Sequence, residues 1–297
     1  MMNETALVTG GTDGIGKAIA LGLAHSGCRV VVAGRDADKG VRVESEIRRS
    51  TRNAHVHFVQ ADLSLTREAD RLAAEISRGC STLSYLVHSA GIVRGQWELT
   101  TEGLESNFAV NYVSRFALSL RLLPLLAASG RPSRASRIVI INGAATNGKI
   151  YFDDVNLTGR FGTVRAILQS CQANDAFTVE FADRLVQAGE ARATISCLKV
   201  GVVRTNIRRQ FPRWMKWLVP LIMDPLFALS PQEVAGEGLR LLLGPEFEGA
   251  TGGLFMFIRR FKAMGLPQTL RDPHMRSQLW QLSERIAFPA KGPLSLS

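Results

Sequence analysis

A chain of 297 residues with 46% hydrophobic content has the material for one large core. It carries no repeat, low-complexity tract or Gly/Ser linker to divide it, so residues 1–297 are read as a single domain. Lys and Arg outnumber Asp and Glu 36 to 26, a net charge of +10. The cations are scattered (Arg29, Arg35, Arg48, Arg49, Arg121, Arg131, Arg137) rather than striped with aromatics, which argues against a nucleic-acid binder; they read first as solvated surface, with attraction to anionic substrates, phosphates or acidic lipid headgroups as the sharper alternative. No apolar run approaches the ~20 residues needed to cross a bilayer, and the chain enters a strand too early for a signal peptide. Cys28, Cys80, Cys171 and Cys197 have neither C-x-x-C nor metal-ligand spacing, so no metal site and a reducing cytoplasm are expected.

In chain order, Thr5 to Thr9 reads as a short apolar strand and Gly14 to Ser26 as a helix ended by Gly27. Arg29 to Ala33 is a strand buried on both faces, followed by a helix from Asp38 to Arg48. His55 to Gln60 and Leu83 to Val87 are the third and fourth strands, with an Arg/Glu-rich helix between them. A long helix is expected over Leu104 to Ala128, a fifth strand over Arg137 to Ile141, and a second long helix over Val164 to Gln187. Ala193 to Leu198 is the sixth strand and Leu254 to Phe257 the seventh. Such alternation predicts an α/β fold: a Rossmann-type doubly wound parallel sheet of about seven strands with helices on both faces. A ligand then belongs in the crevice at the C-terminal strand ends.

The first strand-to-helix turn is Thr9-Gly10-Gly11-Thr12-Asp13-Gly14-Ile15-Gly16. In that context Gly10, Gly14 and Gly16 permit a tight turn and close approach of a pyrophosphate to the helix N-terminus, with Thr12, Asp13 and Ile15 completing the loop. The second strand ends Ala33-Gly34-Arg35-Asp36. An acid at the strand tip would bond the ribose hydroxyls; Arg35 pairs with a phosphate instead. NADP(H) is therefore expected over NAD(H), with Asp36, one place on, as a competitor.

With these motifs the chain resembles the short-chain dehydrogenase/reductase superfamily, its retinol-dehydrogenase-like branch in particular, over nearly its whole length. Asp62-Leu63-Ser64 matches the family's adenine-side Asp-Leu. His88-Ser89-Ala90-Gly91 stands for Asn-Asn-Ala-Gly, and Asn107-Phe108-Ala109-Val110-Asn111-Tyr112 matches the helix whose asparagine, here Asn111, completes a proton relay. Leu279 to Glu284 looks like the branch's closing helix. The resemblance implies cofactor contacts from Asp62, Leu63, Ala90, Gly91 and Thr205.

The same resemblance places the catalytic serine at Gly143, with Asn142 beside it, the tyrosine at Ile167 and the lysine at Cys171. Carbonyl reduction needs a proton as well as a hydride. Isoleucine has none to give, a thiol is not a cation, and glycine offers no hydroxyl. Losing a positioned acid alone typically costs about 10²–10⁴-fold in rate. Candidate replacements are Asn111, Asn142, Thr146, Tyr151, Cys171 and Lys199, each also readable as an ordinary structural residue. Three functions stay open. The first expectation is a repurposed enzyme of specialised metabolism, cyclising or isomerising a hydrophobic small molecule. The others are an NADPH-dependent reductase of an activated C=N or C=C acceptor, and a non-catalytic nucleotide-binding partner protein.

Phe211 to Leu229, reading FPRWMKWLVPLIMDPLFAL, is strongly apolar, with Pro212, Pro220 and Pro225 breaking long helices. Residues 206–230 are read as a C-terminal substrate lid. Gly143, Ile167, Trp214, Trp217, Leu218 and Leu221 would line a pocket for a terpenoid- or lipid-like ligand. Trp beside Arg213 and Lys216 also suits peripheral membrane contact. A homo-oligomer is expected.

Overall fold

The structure is a computed structural model; it describes residues 4–131, 134–146, 148–204 and 228–289. Among the described residues eight strands form one sheet: β1 (Thr5–Thr9), β2 (Arg29–Gly34), β3 (Val56–Gln60), β4 (Tyr85–His88), β5 (Ser136–Gly143), β6 (Ala193–Val200), β7 (Gly253–Phe257) and β8 (Phe261–Ala263). Their spatial order is β3-β2-β1-β4-β5-β6-β7-β8. Seven are mutually parallel, and only β8 runs antiparallel, against β7. The expected count of about seven thus gains one short edge strand. Phe261–Ala263 is three residues long and largely exposed, too brief to leave an alternating pattern.

Among the described residues the longer helices are α1 (Gly14–His25), α2 (Ala37–Thr51), α3 (Thr66–Gly79), α4 (Ser114–Ser129), α5 (Thr163–Gln187), α6 (Pro231–Leu243) and α7 (Pro273–Ala287). α1, α2 and α6 share one core with one sheet face, and α3, α4, α5 and α7 share another with the opposite face. Alternation decides the split. Ile138 and Ile140 of β5 join the second core, whereas Val139 and Ile141 join the first. Strands buried on both faces have no polar side to show, which is why they read as continuous apolar runs.

The expected helix over Leu104 to Ala128 is not uniform. One α-turn (Ser106–Phe108) passes into a π-helical turn (Ala109–Val113) before α4 begins. The wide turn contains Asn111, and such bulges commonly mark functional positions. α7, the expected closing helix, sets Trp280 against Phe181 (6.0 Å, stacked) and Phe116 (5.1 Å, edge-on). Burying each such ring contributes about 1.5–3 kcal/mol and ties α4, α5 and α7 into one layer. Ser230 opens α6 with a capping box to Glu233.

The chain starts in mid-sheet, winds out to β3, and returns to β4 beside β1. The strand order therefore reverses between β1 and β4, and the crevice opens at their C-terminal ends. Among the described residues no helix is long and apolar enough to cross a membrane, and no His/Cys/Asp/Glu group could hold a metal ion.

Candidate active site

On the nucleotide side the site is made of backbone. Gly10 has φ +66°, and a Cβ there would meet the Ala90 backbone at 2.6 Å; a Cβ on Gly16 would meet the Gly10 carbonyl at 2.4 Å. Two chain segments approach this closely only where side chains are absent. Gly14, at φ +49°, opens α1, and Asp13 caps it by accepting the Gly14 N–H at 2.8 Å. Thr12 packs where a Gly34 Cβ would sit, and Ile15 packs into the core under α1. Thr9 joins β1 to β4: its hydroxyl donates to the Val87 carbonyl and accepts from the Ala90 N–H. These residues form a cradle that a dinucleotide phosphate fits and that side chains would fill.

Arg35 is exposed beyond β2, and its guanidinium makes no ion pair among the described residues. Asp36 is exposed beside it and caps α2, its Oδ1 accepting the Lys39 N–H at 2.9 Å. Lys39 reaches back to Asp13 at 2.5 Å, a second cation at the tip of β2 that sequence reasoning missed. Asp62 accepts the Ser64 N–H, and Leu63 is buried beneath it.

On the reaction side the site is made of side chains, and the structure brings several candidates together. Asn142 donates to the Cys171 carbonyl (3.0 Å) and to the Asp175 carboxylate (3.0 Å). Lys199, fully buried on β6, forms an ion pair with Asp175 and donates to the Ala145 carbonyl at 2.9 Å. Cys197 lies 3.7 Å from the same carboxylate. A Cβ on Gly143 would meet Cys171 Sγ at 3.0 Å, so this missing side chain and this thiol adjoin. Burial pushes the Cys171 thiol up, opposed by the Lys199 ammonium, so at neutral pH it holds its proton. Burial likewise raises Asp175 against the pull of Lys199.

Asn111 is used on the backbone. Its side chain accepts the Ile92 N–H (2.8 Å) and donates to the Ile92 carbonyl (2.9 Å), fixing the loop after β4, while its own carbonyl accepts from Asn174. Tyr151 is not brought to this cluster. Its N–H donates to Gln169, and its ring lies 4.8 Å from the Arg165 guanidinium. At 100° per residue, Arg165 and Gln169 are about 160° round α5 from Ile167, whereas Cys171 is about 40° away. Thr146 is exposed in the loop after β5. Thr205, Trp214, Trp217, Leu218 and Leu221, with nearly all of the expected lid, lie outside the described residues.

The chain has three tyrosines. Tyr85 sits at the start of β4, bonded to Glu4, and the buried Tyr112 bonds Ser283. With Tyr151 on the far flank of α5, none of the three stands beside Gly143 and Cys171. Beneath the cluster lies Arg115, which no sequence pattern singled out: it donates to the Ala90 carbonyl (2.9 Å), the Ile141 carbonyl (3.0 Å) and Asn174 Oδ1 (3.3 Å).

Comparison with known proteins agrees with this architecture. The family described as short chain dehydrogenase matches residues 4–216. Human retinol dehydrogenase 13 is 32% identical, across 95% of this chain and 84% of that protein. Human polyprenol dehydrogenase is 28% identical, across 95% and 84%. Among solved structures, the Pseudomonas aeruginosa RhlG/NADP complex superposes with a TM-score of 0.68 at 25% identity, covering 86% of this chain and 94% of that one. An Escherichia coli short chain dehydrogenase complexed with NADPH gives 0.65 at 25% identity, covering 86% and 96%.

Proposed function

Since the chain belongs to the short-chain dehydrogenase family, we propose that it is an NADP(H)-dependent oxidoreductase that passes hydride to an activated C=N or C=C acceptor on a hydrophobic small molecule. The glycine cradle and the exposed Arg35 guanidinium suit NADP(H), the cofactor of the RhlG and E. coli structures. The observation that carries the choice of acceptor is the distribution of phenols: no tyrosine adjoins Gly143 and Cys171, so a ketone would have no positioned acid.

Bound in that cradle, NADPH would supply the hydride; an iminium acceptor would need no proton to become a neutral amine, and the enolate formed from a polarised alkene would take its proton from water. Asn111 holds the Ile92 loop at the mouth of the crevice. Asn142 and Lys199 are tied to Asp175 and act by fixing the floor. Gly143 and Ile167 leave that floor without a hydroxyl. Residues 206–230 would cover the substrate, and the isoprenoid alcohols in the relatives' names fit their apolar sequence. The single domain, the homo-oligomer and surface contact with membranes belong to the same proposal.

Cyclisation or isomerisation stands second, because the relatives named above are dehydrogenases. NADPH absorbance decides between the readings. With prenyl-chain enones and iminium ions the cofactor is consumed, about 100-fold or more faster than with matched saturated ketones. Equal rates with the ketones defeat the proposal. Turnover indifferent to replacing NADPH by NADP⁺ moves cyclisation or isomerisation to first place, and no turnover at all favours a nucleotide-binding partner protein.

A further inference from the structure

Arg115 is 5% exposed and forms no ion pair among the described residues. Its terminal nitrogens are spent on three oxygens, two of them the main-chain carbonyls of Ala90 and Ile141 at the C-terminal ends of β4 and β5; its Nε has no partner. The titratable groups that face it are the Cys171 and Cys197 thiols and the buried His88, none of which offers negative charge at neutral pH. A guanidinium taken out of water without a counter-ion is expensive, and hydrogen bonds to neutral oxygens offset only part of that. The charge also lies at the crevice: a Cβ on Gly91 would be 3.9 Å from Arg115 Nη2 and 3.5 Å from Asn111 Oδ1.

We propose that Arg115 supplies, from under the loop after β4, the fixed positive charge at the nicotinamide end of the crevice that α5 lacks with Cys171 in its position. The inference rests on the reading that NADP(H) occupies this crevice. Lys199 does not meet the need, because Asp175 neutralises it within the floor. The consequence is electrostatic. The oxidised nicotinamide ring is a cation and the reduced ring is neutral, so a fixed charge in a low-dielectric floor penalises only the oxidised form. The protein therefore discriminates between the two redox states of one ligand by charge, without touching the ring.

The experiment is calorimetric titration of the full chain with NADPH, NADP⁺ and 2′,5′-ADP, repeated on Arg115→Lys, Arg115→Gln and Arg115→Met. The wild type should bind NADPH about tenfold or more tighter than NADP⁺. Arg115→Lys should keep that ratio, and Arg115→Gln and Arg115→Met should bring it towards one. 2′,5′-ADP, which lacks the nicotinamide half, should bind all four proteins alike. Equal wild-type affinities for NADPH and NADP⁺, with 2′,5′-ADP bound, overturn the role of Arg115 and leave the cofactor reading standing. An unchanged ratio in whichever neutral variant folds does the same. No binding of 2′,5′-ADP or either dinucleotide overturns the cofactor reading itself, and the role of Arg115 with it.

Discussion

At the β1–α1 turn, Gly10 and Gly16 shape the site by having no side chains: any atom added to either meets main chain at 2.4–2.6 Å. At the β5–α5–β6 end, the absent side chain of Gly143 is answered by a neighbouring thiol, and a lysine, an aspartate and an asparagine fill the floor. The first region is fixed by backbone that nothing else can replace. The second is fixed by side chains that can exchange partners while the strands beneath keep their register. Chemistry can therefore drift on the reaction side of a fold whose nucleotide side cannot move.

The hardest blow to the reaction side is Lys199→Met. It strands the Asp175 carboxyl in the floor, and a broken buried pair of this kind costs about 3–5 kcal/mol. Denaturant unfolding should show that loss, with most of it recovered in Lys199→Met/Asp175→Leu. A single variant within about 1 kcal/mol of wild type would mean that the pair does not hold the floor. On the nucleotide side, Gly16→Ala forces a methyl against the Gly10 carbonyl, costing about 1–3 kcal/mol of stability. It should also weaken NADPH binding by tenfold or more while leaving the Lys199–Asp175 floor in place; unchanged affinity would mean that the cradle is not where the phosphates sit.

The smallest effect falls on the seam between the regions. His88, at the end of β4, bonds Ser119 through Nε2, and burial, aided by Arg115, holds its imidazole well below the usual histidine range. The native state keeps this ring neutral, whereas the unfolded chain protonates it below about pH 6.5. The unfolded state then binds one more proton, so stability should fall by about 1.4 kcal/mol per pH unit as pH drops below that value. His88→Asn should flatten this part of the stability–pH curve relative to wild type, and identical curves would exclude the contribution.

The sheet was legible mainly through its central strands, which are buried on both faces and so read as continuous apolar runs before any contact was known. β8 escaped notice because three exposed residues carry no period. The cradle was legible for the same reason that it is rigid: a missing side chain is visible in a sequence. The floor was not. Lys199 and Asp175 are 24 residues apart on a strand and a helix, and either alone reads as a solvated charge. Arg115 looked no different from the scattered surface arginines, because burial is a property of the packed helix and not of the residue. In the sequence Tyr151 is a candidate replacement or an ordinary loop residue, and helical geometry puts its contacts on the side of α5 away from Cys171.

The 3.0 Å between the Gly143 Cβ position and Cys171 Sγ also bears on how this floor can be rebuilt. A hydroxymethyl group introduced at 143 would press on the sulfur, which must give by a few tenths of an ångström before the newcomer fits. Positions 143 and 171 are therefore coupled: the room for a side chain at one is set by the atom that stands at the other.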